Sequence, residues 1–356
     1  MSAGVQVFVY PEELDHVEPA ALAEQVLELG CDAVSVAVAY HRARRVLPRH
    51  RRVSVLTRTT VYVEPQRARY GTLVPDGART EALLRFRDAC ERAGLRFRAW
   101  VVALHNDVLA AAHPDAAARL LDGSAAGHSL CPSAPEVVEY VAALAGDVAA
   151  QLRPEYVDLE AAFHPAWEPS YTLTLALEPL SERERLLAAQ CFCPSCVALL
   201  GPNLEERAQL GDEGVELDLA PGRSRAAAML LRAAAAAVRA EGSRLRVFAS
   251  GPPEQVALQG VSPDSVEAAD ALLYGCGPLR GDVLLERFAG LRALTGRPGT
   301  VSTNWTPERT ELEADVERLA AAGAEGLALY NLSLVPEAGL AAFGRAARAF
   351  RAAVPA

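Results

Sequence analysis

Lysine is absent from this chain: every one of the 35 residues in its Lys+Arg total is arginine. With no side-chain primary amine there is no Schiff-base aldolase chemistry, no pyridoxal-phosphate lysine, no Walker lysine and no Ser-Lys catalysis. An excess of positive charge is lacking too. The net charge of −10 and pI near 5.3 argue against nucleic acid or an anionic membrane as the main partner. No N-terminal run reads as a leader, since Val5–Tyr10 is too short and is followed at once by Pro11-Glu-Glu13. Long apolar runs are missing as well; the most alanine-rich, Ala226–Val238, carries Arg232. These absences predict a soluble cytoplasmic protein whose partner is a small molecule, and they leave a homo-oligomer open.

What is present is a large stock of core residues. Hydrophobic residues make up 51% and charged residues 22%, which favours a sizeable core over disorder. The seven cysteines are expected to be reduced. Cys31, Cys90, Cys131 and Cys276 are scattered, while the other three form Cys191-Phe-Cys193-Pro-Ser-Cys196. Cys193 and Cys196 lie three apart, so a helix start can present both to one ion; three packed thiols at a helix junction is the alternative.

Eight short β-like runs follow one another: Val5–Tyr10, Ala33–Ala39, Phe97–Leu104, Tyr156–Leu159, Leu245–Ala249, Ala271–Tyr274, Thr300–Thr303 and Leu327–Tyr330. Amphipathic stretches at Pro19–Leu29, Glu81–Ala93, Glu136–Leu152, Arg223–Glu241, Leu312–Ala322 and Leu340–Val354 separate most of them. Such alternation implies a parallel sheet with right-handed crossovers. Eight units with no composition break predict one α/β domain over residues 1–356, a (β/α)8 TIM barrel with long loops after strands 2, 3 and 4. A doubly wound sheet is the alternative, but strand one lacks a Gly-rich phosphate turn. A hairpin of Val53–Leu56 against Thr60–Val63 is expected in the first long loop. Ser181 is expected to cap a helix over 181–190, with Glu184 closing a capping box.

In a barrel the residues just past each strand surround one pocket. On the fourth strand the period-two pleat puts Val157 and Leu159 on one face and Asp158 and Glu160 on the other. Glu160 is therefore the leading catalytic carboxylate, with Glu254, Asp107 and Asp158 as the choices for the second and Asp107 preferred. The expected substrate-binding residues are Tyr40, His41, His105, Asn106, His164, Asn304, Trp305, Tyr330 and Asn331. Aromatic rings with amides and imidazoles suit a neutral polyhydroxylated ligand. Ser302–Pro307 and Tyr330–Val335 lack the glycines of a phosphate cradle, which disfavours a phosphosugar.

Several stretches together resemble the bacterial glycoside-hydrolase-like (β/α)8 barrel proteins. They are Tyr40-His41 with Leu47-Pro48, Trp100–Asn106, Leu130-Cys-Pro-Ser-Ala-Pro-Glu136, Leu159-Glu-Ala161 and Cys191-Phe-Cys-Pro-Ser-Cys196. The resemblance covers most of the chain and implies the same barrel. One departure is Ala166-Trp-Glu-Pro-Ser-Tyr171, which stands where a His-His-Glu-Lys-like run would be expected. The cysteine motif is similar to the structural zinc cluster of family 42 β-galactosidases. That similarity implies a zinc held by Cys131, Cys191, Cys193 and Cys196.

The resulting expectation is a glycosidase-like hydrolase acting on a neutral sugar or glycoside, with no cofactor in catalysis and a structural zinc. One alternative is a divalent-metal sugar isomerase or epimerase using His41, His105 and Glu160 as ligands. Another is a catalytically inactive barrel that binds carbohydrate. Metal analysis separates the isomerase from the glycosidase, and a Glu160→Gln substitution separates the glycosidase from the inactive barrel.

Overall fold

Tyr156–Glu160 shows how the chain is built. Val157 and Leu159 are fully buried in the main core beneath the helices, while Asp158 and Glu160 take the opposite face of the pleat. The computed structural model describes residues 4–77, 80–165, 181–201, 203–212 and 214–354. In it, eight parallel strands share this division: Gly4–Val9 (β1), Ala33–Tyr40 (β2), Arg96–Val102 (β3), Tyr156–Glu160 (β4), Arg244–Ser250 (β5), Ala271–Gly275 (β6), Thr300–Asn304 (β7) and Gly326–Tyr330 (β8). Each pairs with its sequence neighbour, and β8 returns to β1 through Gly4↔Gly326 and Val7↔Leu329. The sheet is a closed (β/α)8 barrel.

Helices between successive strands bury their apolar stripes against the outer face. Glu81–Ala93 stops where Gly94 adopts a left-handed conformation, φ +71°, at the C-cap, a site that costs other residues more. Ser181 and Glu184 form the expected capping box. The fourth crossover helix spans Val215–Ala240, beginning ahead of the sequence-predicted Arg223 and running through Pro221. Pro221 lies in its second turn, past the N-terminal N–H groups that lack intrahelical partners, so the helix forgoes one backbone hydrogen bond there.

The interior of the barrel is layered. Near the strand starts, Arg246 donates to both oxygens of Asp158, at 2.8 and 2.6 Å, and Ser35 Oγ adds a donor at 2.6 Å. Gln6 Oε1 accepts from both Arg246 and Arg98, closing a buried polar layer. One pleat step further, Phe8 packs against Trp100 and Phe248, with ring centroids 5.1 and 5.7 Å apart. This aromatic layer is the floor of the barrel mouth.

The long connections follow β2, β3 and β4, as the sequence indicates. The hairpin differs from the expected one. Arg52–Leu56 pairs with Ala43–Leu47 around a tight turn, and Thr60–Val61 instead adds antiparallel to the end of β2. A second hairpin, Ala117–Arg119 with Ala125–Leu130, follows β3 and delivers Cys131. The stretch Ala166–Tyr171, singled out in the sequence, lies outside the described residues.

Candidate active site and cysteine centre

Glu160 ends β4 on the inward face, half-buried, and Trp100 Nε1 donates to its Oε2 at 2.5 Å. The same pleat phase that turns Glu160 inward puts Trp100 and Arg98 on the inner face of β3. Alternation along Arg96–Val102 was the signal in the sequence that could have assigned Trp100 to the site.

Three tyrosines from three strand ends meet beside this carboxylate. Tyr10 Oη lies 2.5 Å from Tyr330 Oη and 3.1 Å from Tyr40 Oη. All three titrate above the ordinary tyrosine range. Burial is the largest cause, and the negative charge of Glu160 is among the smaller ones. They are therefore neutral O–H groups near neutral pH. Arg45 covers them from the first hairpin, its guanidinium 3.8 Å from the Tyr10 ring centre and 4.4 Å from that of Tyr40. Glu12 pairs with Arg45, while Glu13 accepts from Arg49 at 2.6 Å and lies 2.7 Å from His50 Nε2, so the loop after β1 holds the hairpin in place.

His41, His105 and His128 line one side of this region. The His41 and His105 rings are 5.8 Å apart, and those of His105 and His128 6.2 Å. Burial, followed by the charges of His41 and His128, lowers His105 to about 3; burial likewise lowers His41 and His128. The isomerase-type ligand set does not assemble: among the described residues, His41, His105 and Glu160 do not bring three ligand atoms within 4.8 Å of one another.

On the opposite side, a groove of about 340 Å³ is lined by Val46, Asn304, Trp305, Tyr330 and Asn331, among others. Asn304 and Trp305 are half-buried and face this groove. Asn331 is 1% exposed, and its Oδ1 accepts from Ser333 N at 2.9 Å, so it serves the turn after β8.

Three sequence expectations, Asp158, Asn106 and His164, are relocated, and Asp107 is held by the edge strand. Asp158 sits one layer below Glu160, fully buried, with both oxygens engaged by Arg246. Asn106 is the buried N-cap of helix Asp107–Ala112, accepting from Leu109 N and donating to Tyr140 Oη. Asp107 uses Oδ1 to accept from Thr59 N at 2.7 Å and Thr59 Oγ1 at 2.5 Å, tying the edge strand to the end of β3. His164 is not at the mouth. A residue in left-handed conformation, Ala161, follows β4, and the chain then carries His164 to the cysteine centre.

That centre brings the sulfurs of Cys131, Cys191, Cys193 and Cys196 within 4.8 Å of one another, all buried. Cys131 Sγ is 3.4 Å from both Cys193 and Cys196. Zinc–sulfur bonds of about 2.3 Å in a tetrahedron set sulfurs about 3.8 Å apart, between the 3.4 Å contacts of Cys131 and the 4.8 Å limit of the set, so a small adjustment of the cage accommodates an ion. Backbone N–H groups already aim at two sulfurs: Arg119 N at Cys191, 3.3 Å, and Ser133 N at Cys131, 3.4 Å. His164 Nε2 lies 3.0 Å from Ser133 Oγ and 3.6 Å from Cys196 Sγ. Arg223 is 1% exposed and donates through Nη1 to Leu258 O, yet its Nε and Nη2 have no hydrogen-bond partner. The donor set and this orphaned cation fit a soft divalent metal.

No protein-family model and no curated protein matches the chain. Solved structures do. The catalytic domain of β-amylase from Paenibacillus polymyxa aligns over 100% of both chains, with TM-score 0.64 and 12% identity. A β-galactosidase from the psychrophilic Marinomonas ef1 aligns over 97% of this chain and 59% of its own, TM-score 0.59, 12% identity. Alpha-L-fucosidase isoenzyme 2 from Paenibacillus thiaminolyticus aligns over 98% of this chain, TM-score 0.55, 14% identity; this chain spans about half of its length, 49%. The barrel is thus of the kind seen in glycoside hydrolases, a likeness of fold.

Proposed function

We propose that the protein is a glycoside hydrolase acting on a neutral sugar or glycoside, with Glu160 as the group that exchanges a proton at the glycosidic oxygen. The observation that supports this most is Glu160 itself: a half-buried carboxylate at the barrel mouth, anchored by Trp100 Nε1 amid neutral tyrosines. Aromatic faces stack on sugar rings and tyrosine hydroxyls bond ring hydroxyls, while the Asn304–Trp305 groove offers a second platform. With Asp158 committed to Arg246, Asp107 takes the second carboxylate role in this proposal, its charge acting on the neighbouring His41. Hydrolysis of a panel of aryl glycosides tests the reading. Glu160→Gln keeps the shape and removes the titrating proton, so it should lower turnover by a factor on the order of 10²–10⁴. Full activity in that variant would refute the assignment.

We also propose a structural zinc on Cys131, Cys191, Cys193 and Cys196. Four thiolates saturate the ion and leave no open position, so its contribution is to join the second hairpin to the Cys191–Cys196 segment. Purified protein should carry about one equivalent of zinc and melt lower after chelation. Metal-free protein with unchanged melting would contradict this.

A further inference from the structure

Arg223 presents a problem that the four cysteines alone do not solve. It is a guanidinium 1% exposed, with one hydrogen bond to a neutral carbonyl, Leu258 O at 3.0 Å, and two nitrogens without partners. Among the described residues no carboxylate pairs with it, whereas the other buried arginines, Arg45, Arg98, Arg246 and Arg309, pair with Glu12, Glu155, Asp158 and Asp315. A buried cation without counter-charge is costly. It sits beside the cysteine centre: Leu258 O takes its Nη1, the next carbonyl, Gln259 O, accepts from His164 N at 3.1 Å, and His164 Nε2 lies 3.6 Å from Cys196 Sγ.

Its position is fixed by its backbone. Gly260, at φ +102°, lies so close that a Cβ there would sit 2.7 Å from the carbonyl oxygen of Arg223. One residue earlier, a Cβ on Gly222 would sit 2.8 Å from Leu200 Cδ2 and 3.3 Å from Leu199 O, so the helix packs at this point against the Pro194–Leu200 helix that carries Cys196. Neutral thiols would leave the cation uncompensated. Four thiolates on a divalent ion carry a net charge of −2, which one guanidinium and the N–H donors from Arg119 and Ser133 reduce.

We propose that Arg223 is the counter-cation of a dianionic metal–tetrathiolate centre, a positioning residue that raises metal affinity by charge without coordinating the ion. This rests on the reading of the four cysteines as a metal site. It implies that the chain is built for a filled centre, since the empty one leaves a buried cation unpaired.

The test compares wild type, Arg223→Met and Arg223→Lys in metal-free and zinc-loaded forms. Apparent zinc affinity comes from competition with a chromophoric chelator, and melting is followed for each form. Arg223→Met should weaken zinc binding on the order of 10–100-fold, the usual loss when an outer contact of a metal site is removed. Its metal-free form should melt no lower than metal-free wild type, because an unpaired buried charge has gone. Arg223→Lys keeps the charge and should retain more of the affinity. Cobalt-substituted wild type and Arg223→Met should give the same tetrahedral thiolate spectrum. Zinc affinity unchanged in Arg223→Met, or equal destabilisation of its loaded and empty forms, overturns the proposal while leaving the metal site standing. If Arg223→Met does not fold, affinity in Arg223→Lys reduced as far as charge removal predicts overturns it. Wild type that takes up neither zinc nor cobalt overturns both readings.

Discussion

Asp158→Ala isolates the polar layer beneath the mouth. The carboxylate is 0% exposed and Arg246 2%, the pair is bidentate, and Ser35 donates to the same group. Truncation leaves a buried guanidinium facing a cavity, together with an unsatisfied hydroxyl. Breaking a buried pair by removing one partner costs about 3–5 kcal/mol. An unfolding entropy of about 2.1 cal/mol/K per residue, over 356 residues, converts that cost to a fall in Tm of roughly 4–7 °C. Calorimetry or thermal circular dichroism reads it directly. The double variant Asp158→Ala, Arg246→Met removes both charges and should recover part of the loss. A Tm within about 1 °C of wild type for Asp158→Ala, or a double variant no more stable than the single, would refute the assignment of Asp158 to the scaffold.

Trp100→Phe keeps an aromatic ring against Phe8 but removes the N–H that holds Glu160. Turnover should fall while thermal stability changes by less than about 2 kcal/mol, the scale of one charge-assisted hydrogen bond; unchanged turnover would detach Trp100 from the site. For His105, the folded group titrates at about 3 and the unfolded at 6.5, so between those values the unfolded chain binds the extra proton. Its contribution to stability is complete above pH 6.5 and is lost as pH falls through that window, with a slope of up to about 1.4 kcal/mol per pH unit. Urea denaturation from pH 7 to 5 should show a shallower slope in His105→Gln, and identical slopes would contradict the neutral, half-buried histidine.

The barrel was legible because its cause is local. Eight runs such as Val34-Val36-Val38 or Leu327-Leu329 place apolar residues at period two, and the helices between them stop at signals such as Gly94. Glu160 was legible for the same reason, as strand phase alone turns it inward. What phase does not give is depth along the barrel. Asp158 and Glu160 share a face, but one pleat step separates a carboxylate locked by Arg246 from one at the mouth, and that depends on arginines donated by two other strands. Loop residues were the least legible. His164 follows the fourth strand closely in sequence, yet Ala161 turns the chain and sends the imidazole to the cysteines. Asn106 looked like a ligand group and is a helix cap, a competition that short polar side chains present at every strand–helix junction. Arg45 and Trp100, which frame the site, are ordinary members of an alternating hairpin and strand until three-dimensional pairing sets them over Tyr10 and against Glu160.

The central claim is that Glu160 works on a glycosidic bond at the barrel mouth. A crystal structure of Glu160→Gln with an intact glycoside bound tests it most directly. The account predicts the ring seated among Tyr10, Tyr40 and Tyr330, with the residue-160 side chain within hydrogen-bond distance of the glycosidic oxygen. A glycoside bound elsewhere on the barrel, with residue 160 still bonded to Trp100 and remote from the sugar, would contradict it.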